Sequence, residues 1–227
     1  MSGFGMLPFL VDLVYPKRCA GCGSRGAWAC ALCLEDVPLF EQPWCARCGV
    51  PNGLRCVCRE LDPALDAVRS VGPFAGWLRG AIVAFKYGDE TDRADHLAEL
   101  LAERAREFGP DAILVPMPLH PARLRQRGYN QSALLAERVA ALLGWTSSPL
   151  VRRARDTPHQ VGLGADERRS NVAEAFALAE RAPDLHGDTI VLIDDVITTG
   201  SSLAACAAPL RAAGSGRIVA ATLARDI

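Results

Sequence analysis

Apolar positions change their rhythm along the chain. Beyond Asp62, Trp77, Leu78, Ala81, Ile82 and Phe85 recur at helical spacing, with Lys86 and Tyr87 closing the stretch. Residues 97–108 predict a second helix and 132–143 a third, with Leu135, Val139 and Leu142 on one side. Short apolar runs at 112–115 and 189–193 predict buried strands, 217–223 predicts a last strand, and 201–213 predicts a helix closed by Gly214. Strands alternating with helices predict an α/β unit built on an open, mostly parallel sheet with helices on both faces. This unit is expected to span residues 63–227, and a smaller unit with a different pattern is expected over residues 1–62.

The smaller unit opens on an apolar segment, residues 4–15, interrupted by Pro8 and Asp12. It lacks a basic flank and a small-residue cleavage site, so it reads as a docking helix, not a secretion signal. No apolar run reaches the roughly 18 residues of a membrane span, and a cytoplasmic protein is expected. The chain has 227 residues, half of them hydrophobic, enough for one core of ordinary size plus an appendage. A formal charge of −1 disfavours a protein that binds polyanions or membranes over its whole surface, although local basic clusters stay open. Nothing in the pattern fixes an oligomeric state.

Eight of the nine cysteines fall between Cys19 and Cys58 in close pairs, and Cys206 stands alone in an apolar helix. Cys19, Cys22, Cys30 and Cys33 are nearly repeated by Cys45, Cys48, Cys56 and Cys58, an internal duplication. Without a secretion signal, such pairs read as metal ligands before disulfides. Zn2+ prefers four tetrahedral thiolates, and two residues between cysteines let one turn present both sulfurs to one ion. One or two structural zinc ions are expected. One pair, Cys56 and Cys58, encloses only Val57, a tighter chelate that weakens the expectation of a second ion. Four consecutive cysteines per ion is the simplest assignment, but an interleaved one fits the spacing too. The metal either folds a segment too small for its own core or also presents Trp28, Trp44 and scattered arginines to nucleic acid.

The strand at 190–193 leads into Asp194 and Asp195, then Val196, Ile197, Thr198, Thr199, Gly200, Ser201 and Ser202 at the start of a helix. Ligands of open α/β sheets bind beyond the carboxyl ends of strands, and free amides at a helix start complement an anion. Gly200 permits close approach of backbone to phosphate. This run of apolar residues, two acids, two apolar residues, Thr-Thr-Gly and Ser-Ser resembles the motif by which type I phosphoribosyltransferases bind 5-phosphoribosyl 1-pyrophosphate (PRPP). The resemblance implies that Asp194 and Asp195 accept hydrogen bonds from ribose hydroxyls and help hold Mg2+ with PRPP, while residues 196–202 take the 5-phosphate.

Neighbouring segments narrow the resemblance. The run Val115-Pro-Met-Pro-Leu-His120, with Arg123, Arg125 and Arg127-Gly-Tyr-Asn-Gln131, is similar to the competence protein F (ComF, ComFC) family. So are residues 152–158 and 167–171, and so is a double zinc ribbon followed by Phe85-Lys86-Tyr87. The chain departs from that pattern at Cys56-Val57-Cys58 and at Gly88, which follows Tyr87 where the family has a basic residue. The resemblance implies a type I phosphoribosyltransferase fold behind a zinc ribbon. Pyrophosphate would lie toward Pro118 and Leu119, with a non-trans bond open to that loop, and Lys86, Arg123 and Arg127 would supply positive charge. Residues 152–171 would form a lid. The hood that recognises the acceptor would fall either to residues around Gly72 and Trp77 or to the zinc ribbon.

Three functions are compatible with these residues. One is a phosphoribosyltransferase of unknown acceptor. Another is an accessory factor that binds PRPP or single-stranded DNA during DNA uptake in natural transformation, with competence machinery as a peripheral membrane partner. The third is a scaffold with a degenerate transferase domain, which the intact acidic pair and Thr-Thr-Gly loop oppose.

Overall fold

A computed structural model describes residues 16–37, 39–88, 91–154, 175–180 and 182–226. The segments expected to form the N-terminal docking helix and most of the lid, 155–174, lie outside them. The core is a five-stranded parallel sheet in the order β1-β7-β6-β2-β3. Its strands are β1 Ala67–Pro73, β2 Ile113–Pro116, β3 Thr146–Ser147, β6 Ile190–Ile197 and β7 Ile218–Arg225. An antiparallel pair, β4 Val151–Arg153 and β5 Phe176–Leu178, stands apart from it.

Side chains on β6 and β7 alternate between two hydrophobic clusters, as a strand period of two requires. Val191, Ile193, Val219 and Ala221 face one cluster, with α2 (Gly76–Tyr87), α3 (Arg93–Arg106) and α5 (Gln131–Leu143). Ile190, Leu192, Ile218 and Ala220 face the other, with α6 (Ser201–Ala212) and the β4–β5 pair. Cover on both faces explains why β6 reads as a continuous apolar run. A parallel sheet with helices on both faces is therefore the architecture that the alternating pattern predicts.

Four details differ from the sequence reading. Strand β6 does not stop at the acidic pair but stays in register with β7 as far as Ile197 opposite Arg225, because the backbone ladder continues beneath the carboxylates. Leu142 is half exposed, since the buried stripe of α5 runs through Leu135, Ala136, Val139 and Ala140 and leaves that position outside. The loop after β2 has trans peptide bonds, the cis bond among described residues being Gln42–Pro43. Strand β1, interrupted by Arg69 and Ser70, carries no clear periodicity; Ser70 is buried nonetheless, its hydroxyl 2.7 Å from that of Thr222.

The cysteine-rich segment is joined tightly to the sheet. Around the first module, which includes α1 (Ala31–Glu35), Trp77 donates its indole N–H to the Trp28 carbonyl at 3.1 Å, and Arg93 donates to the carbonyls of Trp28 and Arg18. Around the second, the Val68 amide donates to the Arg47 carbonyl at 2.8 Å, and buried Arg225 donates to the Cys48 carbonyl at 2.9 Å. Gly49 sits so close to β1 that a Cβ there would lie 2.4 Å from the Val68 carbonyl oxygen.

Candidate active site and metal centres

The acidic pair sits in the middle of the sheet, where two helices converge on it. Lys86, in the last turn of α2, places Nζ 2.7 Å from Asp195 Oδ1. Ser132, in the first turn of α5, donates its hydroxyl to Asp194 Oδ1 at 3.0 Å, and the Asp195 amide donates to the same oxygen at 3.0 Å. The Lys86 and Asp195 side chains are only 19% and 11% exposed, so salt screens this pair weakly. Burial first, and then the negative charge of Asp195, push the Asp194 carboxyl up to about 7, against the Asp195 amide, the Ser132 hydroxyl and the Lys86 charge. Near neutral pH, Asp194 is thus poised between its two protonation states.

Past the acids, Val196 is partly buried and Ile197 buried, while Thr198 and Thr199 are exposed. Gly200 turns the chain with φ +81°, the left-handed region that favours glycine, and its α-carbon faces Leu61 and Ile197. No side chain caps α6 in the usual way; the Thr199 hydroxyl makes a long 3.4 Å contact with the Ser201 amide and lies 2.8 Å from the Ser201 hydroxyl. Helix α6 therefore opens onto the loop with no side-chain cap beyond that long Thr199 contact, and Ser201 and Ser202 are exposed there.

Strand β2 lies beside β6, which places the next predicted segment on that flank. The Met117 amide donates to the Ile193 carbonyl at 3.0 Å, and Asn130 returns an amide to the Met117 carbonyl at 3.0 Å, tying both ends of the loop that carries Pro118 and Leu119. His120 Nδ1 accepts from the Ala122 amide to begin α4 (Pro121–Arg127). On this helix Arg123 and Arg125 are exposed. Arg127 lies over the Tyr87 ring, 4.7 Å from its centroid, and donates to its hydroxyl at 3.1 Å. Of the cations expected at the site, Lys86 is joined to the acids, Arg127 is held by Tyr87, and Arg123 faces solvent. Trp77, considered for a hood, is instead buried beneath the first cysteine module.

Ser132 and Arg225 escape the sequence reading. Asn130, whose side chain caps the Ser132 amide at 3.0 Å, marks the start of α5 and so the serine's position. Arg225 carries a signal too: an arginine continuing an apolar strand must find partners inside.

Cys19, Cys22, Cys30 and Cys33 form one group and Cys45, Cys48, Cys56 and Cys58 another, with all sulfurs in a group within 4.8 Å of one another. The consecutive assignment therefore holds over the interleaved one. Observed sulfur separations include 3.6 Å for Cys22–Cys30, 3.2 Å for Cys45–Cys58 and 3.7 Å for Cys48–Cys56. A tetrahedron with Zn–S bonds of about 2.3 Å has edges of about 3.8 Å, so both groups, including the tight Cys56–Cys58 pair, fit structural zinc. Although burial opposes it, the backbone amides of Cys22, Cys30 and Gly21 hold the Cys19 thiol down to about 6. The Cys48 amide does the same for Cys45, also to about 6. Turns that aim amides at sulfur favour the thiolate, the form that binds metal. Among the described residues, no helix is long and apolar enough to cross a membrane.

A family model of the double zinc ribbon domain matches residues 10–62. Competence protein F of Haemophilus influenzae is 31% identical over 210 residues, 86% of this chain and 90% of that protein. DNA utilization protein YhgH of Escherichia coli is 31% identical over 232 residues, 95% of this chain and all of that protein. Competence protein ComFC of Bacillus subtilis is 26% identical over 192 residues, 77% of this chain and 74% of that protein. Among solved structures, a purine phosphoribosyltransferase from Pyrococcus horikoshii aligns with TM-score 0.37 and 21% identity, covering 59% of this chain and 72% of that one. With its acidic pair and Thr-Thr-Gly turn on a parallel sheet behind two four-cysteine modules, this chain belongs to the competence protein F (ComF/ComFC) family, here a double zinc ribbon joined to a parallel α/β domain.

Proposed function

We propose that this chain binds PRPP with Mg2+ at the end of β6 and transfers its phosphoribosyl group to an acceptor in the handling of incoming DNA. The observation that carries the reading is the convergence of Lys86 and Ser132 on the Asp194–Asp195 pair, beside the open first turn of α6. Such a site offers a carboxylate pair for two sugar hydroxyls and helix-start amides for a phosphate. The 5-phosphate rests on residues 196–202, the ribose hydroxyls on the acids, and the pyrophosphate toward Pro118 and Leu119.

Displacement at C1 builds positive charge on the ring and negative charge on the leaving group. The acids stabilise the first, and Lys86, Arg123 and Arg127 the second. Bound Mg2+ would neutralise pyrophosphate oxygens. No side chain needs to act as a nucleophile. Residues 1–62 form the ribbon unit and 63–227 the transferase unit of a cytoplasmic protein. Calorimetry with PRPP and Mg2+ tests the site: Asp194→Asn with Asp195→Asn should abolish binding, and unchanged affinity overturns the assignment.

A second reading makes the protein an accessory factor that holds single-stranded DNA, with PRPP as a bound effector. The names of its relatives, competence protein and DNA utilization protein, favour it, as does exposed arginine on α4. Fluorescence anisotropy of a labelled oligonucleotide, titrated with salt, distinguishes the two. Absence of affinity even at low salt rules out direct DNA contact, whereas affinity that falls steeply with salt supports it.

A further inference from the structure

Arg225 closes β7 and is only 2% exposed, yet no carboxylate among the described residues pairs with it. Its guanidinium gives one N–H to the Cys48 carbonyl at 2.9 Å, and its Nε has no hydrogen-bond partner. A buried cation without a counter-charge is costly. Burial works against its charge, and the charges that favour it lie on the sulfurs of Cys48 and Cys58. Zn2+ with four thiolates carries a net charge of about −2, so a loaded second module supplies the anion that this arginine otherwise lacks.

The main chain of the same residue borders the Thr-Thr-Gly turn. Arg225 stands opposite Ile197 in the β6–β7 ladder, and the next amide, that of Asp226, donates to the Ile197 carbonyl at 2.9 Å. Thr198, Thr199 and Gly200 follow directly. A second strut reaches the other end of the turn. Arg47, between Cys45 and Cys48, donates to the carbonyls of Cys58 and Leu61, each at 3.1 Å, and a Cβ placed on Gly200 would meet Leu61 Cδ1 at 3.3 Å. The Trp28 contacts of the first module end instead on α2 and α3, neither of which carries the turn. We infer that Arg225 is a positioning residue through which the second metal centre fixes the Thr198–Gly200 turn, so that zinc there and the ordered turn stabilise each other. Without the ion Arg225 lacks its counter-charge, and the end of β7 loosens together with Ile197, to which it is bonded. Linkage requires the converse: a change that disturbs the turn weakens the hold on that zinc and spares the other. On the PRPP reading, a chain short of its second zinc would then lose the surface that receives the 5-phosphate.

Hydrogen exchange followed by NMR on the full-length, zinc-loaded chain reads the turn at two bonded amides. Asp226 donates to the Ile197 carbonyl and Ala204 to the Gly200 carbonyl, while Ile190, at the far end of β6, serves as the reference. Competition with a chromogenic chelator reads zinc affinity, and Cys22→Ser and Cys48→Ser, each keeping one ion, assign the two sites. Arg225→Met should speed exchange at Asp226 and Ala204 about tenfold relative to Ile190 and weaken the second zinc about tenfold, leaving the first within about twofold. Arg225→Lys keeps the charge and should recover most of both. Gly200→Ala keeps every cysteine and Arg225, and should still weaken the second zinc about threefold. Four outcomes overturn the inference: exchange at the two amides rises no more than at Ile190, Arg225→Lys behaves as Arg225→Met does, Cys22→Ser speeds exchange there as much as Cys48→Ser, or Gly200→Ala leaves the second zinc unchanged. If Arg225→Met does not fold, the cysteine variants and Gly200→Ala decide alone. No readout uses PRPP, so its failure to bind would refute the PRPP reading and leave this linkage standing.

Discussion

The two cysteine modules are near copies in sequence but not in surroundings. The first lies on α2 and α3, where Trp77 and Arg93 take up the Trp28 carbonyl. The second lies on β1 and the end of β7, where Arg225 takes up the Cys48 carbonyl and a Cβ placed on Gly200 would meet Leu61 Cδ1 at 3.3 Å. A duplicated metal fold has therefore acquired two duties. One copy clamps helices; the other also forms a wall beside the Thr198–Gly200 turn. The tighter Cys56–Cys58 chelate belongs to that second copy, where Val57 lines a cavity of about 500 Å³ together with Thr198 and Thr199.

The largest effect should come from breaking the metal centres one at a time. Cys22→Ser and Cys48→Ser should each lose one zinc per chain by mass spectrometry. Each should lower Tm by roughly 10 °C, since loss of a structural ion costs several kcal/mol and a chain of this size loses about 2–4 °C per kcal/mol. The comparison predicts a difference in ligand binding: Cys48→Ser should weaken PRPP about tenfold, and Cys22→Ser should leave it within about twofold. Equal losses would show that both modules merely support the fold.

A milder version removes the arginines that dock each module. In Arg225→Met the buried Cys48 carbonyl loses its guanidinium donor, and in Arg93→Met the Arg18 carbonyl loses one and the Trp28 carbonyl one of three, along with a guanidinium 4.3 Å from the Trp28 ring centroid. Each substitution should cost about 2–4 kcal/mol in urea unfolding. Smaller again is Gly200→Ala. An alanine at φ +81° pays about 1–2 kcal/mol in backbone strain, and its Cβ would meet Leu61 Cδ1 at 3.3 Å. Calorimetric scanning should show a Tm lower by roughly 3–6 °C, with weaker PRPP binding as the turn shifts against the second module.

How much of this is legible in the sequence depends on whether the information is contiguous. Residues 190–202 carry strand, acids, turn and helix start in one run, so the core of the site is readable from one segment. The cysteine pairs declare metal for the same reason, although the choice between consecutive and interleaved ligands needs coordinates. Lys86 is expected at the site, but not that its partner is Asp195, which the topology alone brings to it. Ser132 is invisible because a serine near a helix start ordinarily reads as a cap. Strand β1 is hidden by Arg69, an interior-breaking charge that the fold satisfies with Glu107 at 2.9 Å and the Ala46 carbonyl at 3.0 Å. The face of α5 differs from its expected stripe at one position, Leu142, where spacing alone cannot say how far the sheet's cover extends.

The smallest expected effect separates the acidic pair from both modules. The Asp194 carboxyl titrates at about 7, above its ordinary 3.8, because of burial and the neighbouring Asp195. Between about pH 4 and pH 7 the folded chain keeps a proton that the unfolded chain has released, so this group makes stability fall as pH rises through that window and leaves it flat outside. The Ser132 hydroxyl donates to the ionised form and holds the value down, so Ser132→Ala should move the midpoint upward by about one pH unit, the equivalent of one hydrogen bond to a charged group. Carboxyl carbon NMR across about pH 4–9 reads this directly and needs no ligand. Cys22→Ser and Cys48→Ser should leave the midpoint near pH 7, because the groups that set it, Asp195, Ser132 and Lys86, stand on β6, α5 and α2 and on neither module. A midpoint that moves with Cys48→Ser would mean that the second module reaches through the Gly200 turn into the acidic pair itself, and the division of duties between the copies would be sharper than their contacts alone require.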